Sequence, residues 1–247
     1  MSNVSSKKKT RRAIWSAAAK LRASVAARTP KPIRRRVSPV LHYGEMLLVD
    51  HLVFRLVFPN RHKVSENVWR AAQPLPHQIA AAKKLGIRTI LNLRGQFDTA
   101  TYIYEREACR RAGLKLVDYR VKSRNAPTVE ELRGARDVFK SLEYPVLMHC
   151  KSGADRVGLM SVLYRHLHDG VPMEQAIDQL SLRFGHIRQA NTGIIDYFFA
   201  RYIADNARSP IAFFDWVETV YDPEELRRSF KSSSWANRLV DRVLKRE

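Results

Sequence analysis

The chain has 247 residues and a mass of 28.5 kDa, enough for one globular domain with an appendage, and its 45% hydrophobic and 28% charged residues exclude a wholly disordered protein. Its 44 Lys and Arg residues outnumber its 24 Asp and Glu residues, and the resulting net charge of +20 favours an anionic partner. The two cysteines, Cys109 and Cys150, exclude a disulfide framework and a cysteine-built zinc site, and they indicate a reducing, cytoplasmic compartment.

Residues 1–43 are a basic arm and linker, since residues 1–40 carry twelve cations and no acid. Apolar residues recur at helical spacing within Arg11–Arg28, which predicts a short basic amphipathic helix. A solvated, partly disordered arm and an organellar transit peptide are the alternatives. The apolar segment that follows, residues 44–60, is too short to span a membrane. We therefore expect the arm and this segment to attach the protein peripherally to an anionic membrane surface.

A compact domain is expected over residues 61–205, because short strands alternate there with helices. The predicted strands are Val68–Ala71, Ile87–Leu93, Leu114–Val121 and Pro145–His149. The predicted helices are Pro76–Lys84, Tyr102–Ala112, Thr128–Leu142, Arg156–Leu167, Met173–Phe184 and Thr192–Ala204. This alternation predicts an α/β fold with a central, mostly parallel sheet flanked by helices. Residues 206–247 are expected to form a helical extension that docks on the domain or contacts a membrane.

The segment HCKSGADRVG, residues 149–158, carries the strongest chemical signal in the sequence. A buried strand delivers Cys150 to the edge of the sheet, a loop containing Gly153 turns the chain, and Arg156 opens a helix. A loop of this kind can direct successive backbone N–H groups at an anion. The same field and the Arg156 guanidinium favour a thiolate, which would be a nucleophile beside a bound phosphate. The alternative is a buried structural cysteine beside a salt-bridged arginine.

A cysteine and an arginine separated by five residues, Cys150 and Arg156, with His149 and an apolar strand before them, resemble the signature of the cysteine-dependent protein tyrosine phosphatase superfamily. The predicted domain, residues 61–205, is similar in length to the catalytic domain of the compact dual-specificity branch of this superfamily. Three further segments resemble segments of its members: WRAAQP (69–74), LNLRG (91–95) and IRQANTG (187–193). The resemblance implies phosphomonoester hydrolysis through a phosphocysteine on Cys150, without a metal or another cofactor. It implies that the loop amides of Lys151, Ser152, Gly153 and Ala154 and the Arg156 side chain bind the phosphate. It further implies that His149 orients the loop and that Asn191 braces it.

Two departures from the pattern of the superfamily bear on the mechanism. Val157 stands where many members have a serine or threonine that assists the second step, so hydrolysis of the phosphocysteine is expected to be slow. The Ala126-Pro127 pair lacks the preceding aspartate that commonly supplies the general acid. Two carboxylates could replace it: Asp155 inside the loop, which we favour, and Asp118 on the third predicted strand.

The cations that follow the predicted strands bear on the substrate. Arg94, Lys122, Arg124 and Lys151 each follow the end of a strand, and such ends meet at one edge of a parallel sheet. This convergence predicts a substrate with more negative charge than a single phosphomonoester.

Three functions remain open on these residues. A phosphorylated protein is the leading substrate, and a phospholipid or an inositol phosphate is the alternative within the superfamily. A phosphate-binding module without turnover is the alternative from another class. Nucleic acid is not expected, because no interleaved aromatic residues accompany the basic arm.

Overall fold

The computed structural model describes residues 59–97 and 99–231. It contains a five-stranded sheet in the order β1-β2-β5-β3-β4. The strands are β1 His62–Ser65, β2 Val68–Ala72, β3 Thr89–Asn92, β4 Lys115–Asp118 and β5 Val146–Cys150. The helices are α1 Pro76–Lys84, α2 Ala100–Ala112, α3 Val129–Ser141, α4 Asp155–Leu167, α5 Met173–Ala176, α6 Ile194–Arg208, α7 Phe213–Thr219 and α8 Pro223–Lys231.

The predicted α/β fold with a mostly parallel sheet is confirmed. β2, β3, β4 and β5 run parallel, and only the β1–β2 hairpin among the described strands is antiparallel. The register places Cys150 opposite Ala72 on β2 and His149 opposite Asn92 on β3. β5 is therefore central, and the cysteine leaves the sheet at its carboxyl edge between two paired neighbours.

Helices cover both faces of this sheet. Alternate residues of each strand point to opposite faces and therefore pack against different helices. Ile90 and Leu147 pack with α1 and α2 through Ile79 and Cys109. The next residue of each strand, Leu91 and Met148, belongs to the larger core on the other face, to which α3, α4 and α6 contribute the residues Leu132, Leu159 and Phe198. The strands are thus buried on both sides, which explains their continuous apolar runs.

A capping box at Thr128 begins the helix α3. The Thr128 hydroxyl accepts from the backbone N–H of Glu131 at 3.1 Å, and the Glu131 carboxylate accepts from the N–H of Thr128 at 3.1 Å. Two backbone N–H groups at the start of α3 that have no carbonyl partner within the helix therefore find hydrogen-bond acceptors. This fixes the point at which the loop after β4 ends.

The prediction of one helix over Met173–Phe184 is wrong. α5 ends at Ala176, and two separate 3₁₀ turns follow, Ile177–Gln179 and Leu182–Phe184. The break has a physical cause: the Gln179 carbonyl accepts from the buried Arg70 guanidinium at 2.6 Å, which gives this oxygen a partner outside the helix. A third 3₁₀ turn, Asn191–Gly193, precedes α6, which starts at Ile194.

The chain after α6 packs onto the domain. Trp216 is buried against Phe198 and Tyr202, and its indole N–H donates to Asp205 at 3.0 Å. The Tyr221 hydroxyl donates to the carbonyl of Pro127 at 2.8 Å, which ties this segment to the loop before α3.

Several expectations concern parts of the chain outside the described residues. They are the basic arm of residues 1–43, the apolar segment up to residue 58, and the part of the helical extension after residue 231. Among the helices of residues 59–97 and 99–231, none has the length and apolarity needed to cross a bilayer.

Candidate active site

Four consecutive carbonyls of the loop between β5 and α4 bind the surrounding protein. The carbonyl of Lys151 accepts from the N–H of Gln73 at 3.4 Å, and that of Ser152 from the Asn60 side chain at 2.9 Å. The carbonyls of the next two residues accept from Arg70 at 2.9 and 3.0 Å. In a trans peptide the N–H points opposite to the carbonyl of the same unit. The N–H groups of residues 152–155 therefore point to the other side of the loop, away from these partners.

Gly153 allows this loop to lie directly against β2. Its φ of +75° is in the left-handed region, and a Cβ built on it would lie 2.6 Å from the Ala72 nitrogen and 2.7 Å from the Ala71 carbonyl carbon. Ala72 pairs with Cys150 in the sheet, so the loop folds back over the strand beside the cysteine. Any side chain at this position would push the loop off the strand.

Arg70 holds the loop from behind and is fully buried. Its Nη2 donates to the Gly153 and Ala154 carbonyls, its Nη1 donates to Gln179, and its guanidinium lies 3.9 Å from the centroid of the Phe184 ring. Burial lowers the pKa of Arg70 to about 10, and attraction to Cys150 opposes this shift. The group remains charged at neutral pH. The sequence analysis assigned no role to Arg70.

Arg156 and Cys150 lie in one electrostatic environment. Cys150 is 3% exposed at the end of β5, and Arg156 is half-buried in the first turn of α4. Burial lowers the pKa of Arg156, attraction to Cys150 opposes this, and the nearby Arg94 and Arg120 lower it further. Arg156 and the buried Arg70 therefore both interact electrostatically with Cys150.

Of the cations expected to converge on this edge, Arg94 lies near Arg156, and Lys122 forms an ion pair at the start of α3. Arg94 donates to the side-chain oxygen of Gln73, and with Arg120 it flanks the half-exposed Phe97, at 6.0 and 5.5 Å from the ring centroid. Lys122 instead lies 3.4 Å from Glu131 at the start of α3. Arg120, which the sequence analysis did not consider, takes the place expected for Lys122. Arg124 and Ser152 are exposed and Lys151 is half-buried.

A buried network links α2 to the residue before the cysteine. His149 is fully buried, and its Nε2 lies 2.5 Å from the Glu105 carboxylate. The other oxygen of Glu105 accepts from Gln73 at 2.7 Å, and Gln73 in turn accepts from Arg94. Glu105 thus orients both the histidine of the signature and the Gln73 amide that contacts Arg94. Its position on a helix 44 residues before His149 gave no local signal in the sequence.

The two candidate acids have different surroundings. Asp118 accepts from Asn92 at 2.7 Å with one oxygen and from the Tyr102 hydroxyl at 2.6 Å with the other. Burial and this bond raise the pKa of Tyr102. Asp155 is the first residue of α4, its side chain is 26% exposed, and one of its oxygens binds His186 Nδ1 at 2.8 Å.

Two expectations remain: that Asn191 braces the loop between β5 and α4, and that the reaction needs no metal. Asn191 is exposed, and the described hydrogen bonds to the carbonyls of residues 151–154 from outside the loop and α4 come from Arg70, Asn60 and Gln73. Within residues 59–97 and 99–231, no three His, Cys, Asp or Glu side chains are grouped so that they could hold a metal ion.

Comparisons with known proteins show to which family the chain belongs. A family described as "DSP-PTPase phosphatase fused to NAD+ Kinase" matches residues 59–194. Dual specificity protein phosphatase TpbA of Pseudomonas aeruginosa strain UCBPP-PA14 is 25% identical over 122 residues, which are 49% of this chain and 53% of that protein. The TpbA of strain ATCC 15692 is 27% identical over 121 residues, with the same shares covered. The chain therefore spans about half the length of the curated relatives it matches.

Among solved structures, the crystal structure of P. aeruginosa TpbA aligns with a TM-score of 0.48 at 20% identity, covering 68% of this chain and 89% of that one. The match to the family covers more than half of the 247 residues, and the matched range contains both Cys150 and Arg156. The chain therefore belongs to the family described as DSP-PTPase phosphatase fused to NAD+ kinase.

Proposed function

We propose that the protein hydrolyses phosphomonoesters through a phosphocysteine on Cys150. The observation that carries this proposal is the set of four loop carbonyls bound to the surrounding protein, which leaves the N–H groups of residues 152–155 free to face a ligand. Together with Arg156, these N–H groups match the charge and valence of a phosphate dianion.

The reaction has two steps in this proposal. The Cys150 sulfur forms a bond to phosphorus, the bond from phosphorus to the leaving oxygen breaks, and a proton from Asp155 goes to that oxygen. Water then attacks the phosphocysteine and gives a proton to Asp155, and the bond between sulfur and phosphorus breaks. The N–H groups of residues 152–155 and the Arg156 guanidinium stabilise the equatorial oxygens in both steps.

Asp155 is the better candidate for the acid than Asp118. Both oxygens of Asp118 accept hydrogen bonds from Asn92 and Tyr102, which leaves neither directed at a substrate. Asp155 is adjacent to Arg156 in the sequence, and one of its oxygens is held by His186 while its side chain remains partly exposed. A general acid must reach the leaving oxygen within hydrogen-bond distance, and a partly exposed carboxyl beside the loop meets that condition.

Phosphorylated proteins are the proposed substrate class. The curated relatives are named dual specificity protein phosphatases, which supports this choice over a phospholipid or an inositol phosphate. Phe97 offers a half-exposed ring that suits the ring of a phosphotyrosine, and Arg94 and Arg120 beside it suit acidic residues of a peptide. Attachment of the basic arm to an anionic membrane is a separate proposal that does not depend on this choice.

The proposal is tested by turnover of 4-nitrophenyl phosphate, phosphotyrosine and phosphoserine peptides, and a phosphoinositide, with Cys150→Ser as the inactive control. Tungstate, a phosphate analogue, should also protect Cys150 but not Cys109 from alkylation, as located by peptide mapping. Protection without turnover of any substrate would favour the phosphate-binding module. Turnover of the phosphoinositide alone would favour a lipid phosphatase.

Arg120 is expected to select acidic peptides. The variant Arg120→Ala should raise KM for a phosphotyrosine peptide with flanking acidic residues by about threefold to fivefold, the effect of one partly screened charge pair. KM for 4-nitrophenyl phosphate should change less, and the difference should shrink in high salt. Arg124→Ala, which removes another exposed arginine four residues further along the chain, is the matched control. Equal effects of the two variants would contradict a specific role of Arg120.

A further inference from the structure

A chain of three titratable side chains runs from the candidate active site into the core. His186 binds Asp155 through Nδ1 at 2.8 Å and Asp196 through Nε2 at 2.5 Å. His186 and Asp196 are almost fully buried, with side-chain exposures of 1% and 0%, whereas Asp155 is 26% exposed. Of these three side chains, only Asp155 therefore reaches the candidate active site. The hydrolysis described above gives no role to His186 or Asp196.

The positive charge of His186 between two carboxylates fixes the orientation of its ring. Burial alone would lower the pKa of His186, but its hydrogen bonds to Asp155 and Asp196 more than reverse this and raise the pKa to about 9. A protonated imidazole donates from both nitrogens at once. Asp196 thus holds one end of the ring while the other end donates to Asp155. Rotation of the ring would break both contacts in a buried site, which is costly.

The backbone around His186 is tied to the phosphate-binding loop. The His186 N–H donates to the Ser181 carbonyl at 3.1 Å, and Phe184, two residues before the histidine, stacks on the Arg70 guanidinium. The Phe184 carbonyl also accepts from Asn60 at 2.9 Å, and the same amide of Asn60 binds the Ser152 carbonyl of the loop. The histidine and the loop are therefore held by the same side chains, Arg70 and Asn60.

We propose that His186, backed by Asp196, is a positioning residue that holds Asp155 for proton transfer to the leaving oxygen. This inference rests on the proposed hydrolysis. When Asp155 gives up its proton in the first step it becomes a carboxylate, and a cationic ring 2.8 Å away stabilises that charge as it forms. The oxygen of Asp155 that does not bind His186 then carries the proton. His186 itself does not touch the substrate.

The test uses two substrates that differ in their need for an acid. Phenyl phosphate has a weakly acidic leaving group that requires a proton, whereas 4-nitrophenolate leaves without one. The variant His186→Gln places an amide near the position of Nε2, so it keeps a donor for Asp196 and loses the donor for Asp155. The variant His186→Asn places its amide near the position of Nδ1 and keeps the donor for Asp155. The two variants thus separate the two hydrogen bonds.

His186→Gln should lower kcat/KM, which reports the first step, by about tenfold for phenyl phosphate and by less than about threefold for 4-nitrophenyl phosphate, since general acid catalysis contributes roughly 10²–10⁴ in all. His186→Asn should retain more of the activity on phenyl phosphate. Asp155→Asn should show the same preference for the nitrophenyl substrate, and the double variant Asp155→Asn/His186→Gln should be no more selective than Asp155→Asn alone.

Parallel losses on both substrates in His186→Gln would mean that the histidine is only structural and would overturn the proposal. Wild-type selectivity in Asp155→Asn would overturn it as well, while the hydrolase function would stand. Absence of turnover by the wild type on either substrate would refute the hydrolase function itself, and the positioning role with it. If His186→Gln does not fold, the isosteric Asp196→Asn takes its place, with a smaller loss confined to phenyl phosphate expected.

Discussion

Replacing Arg70 by methionine is expected to abolish most turnover and to lower the free energy of unfolding by about 3 kcal/mol. The guanidinium donates to the carbonyls of Gly153, Ala154 and Gln179 inside the protein, and methionine has no donor. Ala154 keeps a second partner, the Gly158 N–H at 2.8 Å, but the other two carbonyls are left with an unmet hydrogen-bonding requirement. Removal of a buried charge offsets part of this cost, because the desolvation of Arg70 is relieved.

The loss of activity follows from the direction of the loop peptides. Without Arg70, the Gly153 and Ala154 carbonyls can turn toward other partners, and the N–H groups of the same peptide units turn with them. A displacement of about 1 Å in such a group can cost about 100-fold in rate. We therefore expect kcat/KM to fall at least 100-fold, with a weaker affinity for tungstate.

Arg183→Met is the matched control for this variant. Arg183 lies over the same Phe184 ring, at 5.5 Å from the centroid, but its side chain is exposed. Chemical denaturation and turnover of 4-nitrophenyl phosphate should separate the two variants, with Arg183→Met close to wild type. Wild-type turnover in a folded Arg70→Met protein would contradict the assignment of Arg70 as the brace of the loop.

The sequence predicted the parts of the site that lie close together along the chain. The strand, the cysteine, the glycine turn and the helix occupy residues 145–167, and each has a local signal in residue type or spacing. The order of strands and helices was predictable for the same reason. Boundaries shifted by a few residues, as at β3, because the ends of strands depend on pairing and not on composition.

The supporting residues were not predictable, because their partners are distant in the sequence. Arg70 lies 83 residues before Gly153, and His186 lies 31 residues after Asp155. Nothing next to His186 in the sequence indicates a role for it. Its contact with Asp196, ten residues later, forms only when the chain is folded.

Replacing Gly153 by alanine is expected to lower kcat/KM at least 100-fold while the protein remains folded. Two effects act at this position. The φ of +75° costs an alanine about 1–2 kcal/mol. The added Cβ would also lie 2.6 Å from the Ala72 nitrogen and 2.8 Å from the Ala71 oxygen, which are backbone atoms of a sheet strand and cannot rotate aside. The loop must therefore move, and its N–H groups move with it.

Gly170→Ala separates the two effects, since Gly170 has a φ of +67° but nothing within 4 Å of the position of a Cβ. This variant should lose about 1 kcal/mol of stability from the backbone conformation alone and retain wild-type turnover. Turnover of 4-nitrophenyl phosphate and tungstate affinity would be measured for both variants beside their thermal unfolding. Equal stability losses with a loss of activity only in Gly153→Ala would show that close contact with β2 fixes the loop. Full activity in Gly153→Ala would mean that the loop tolerates displacement, and that its N–H groups do not form the phosphate site.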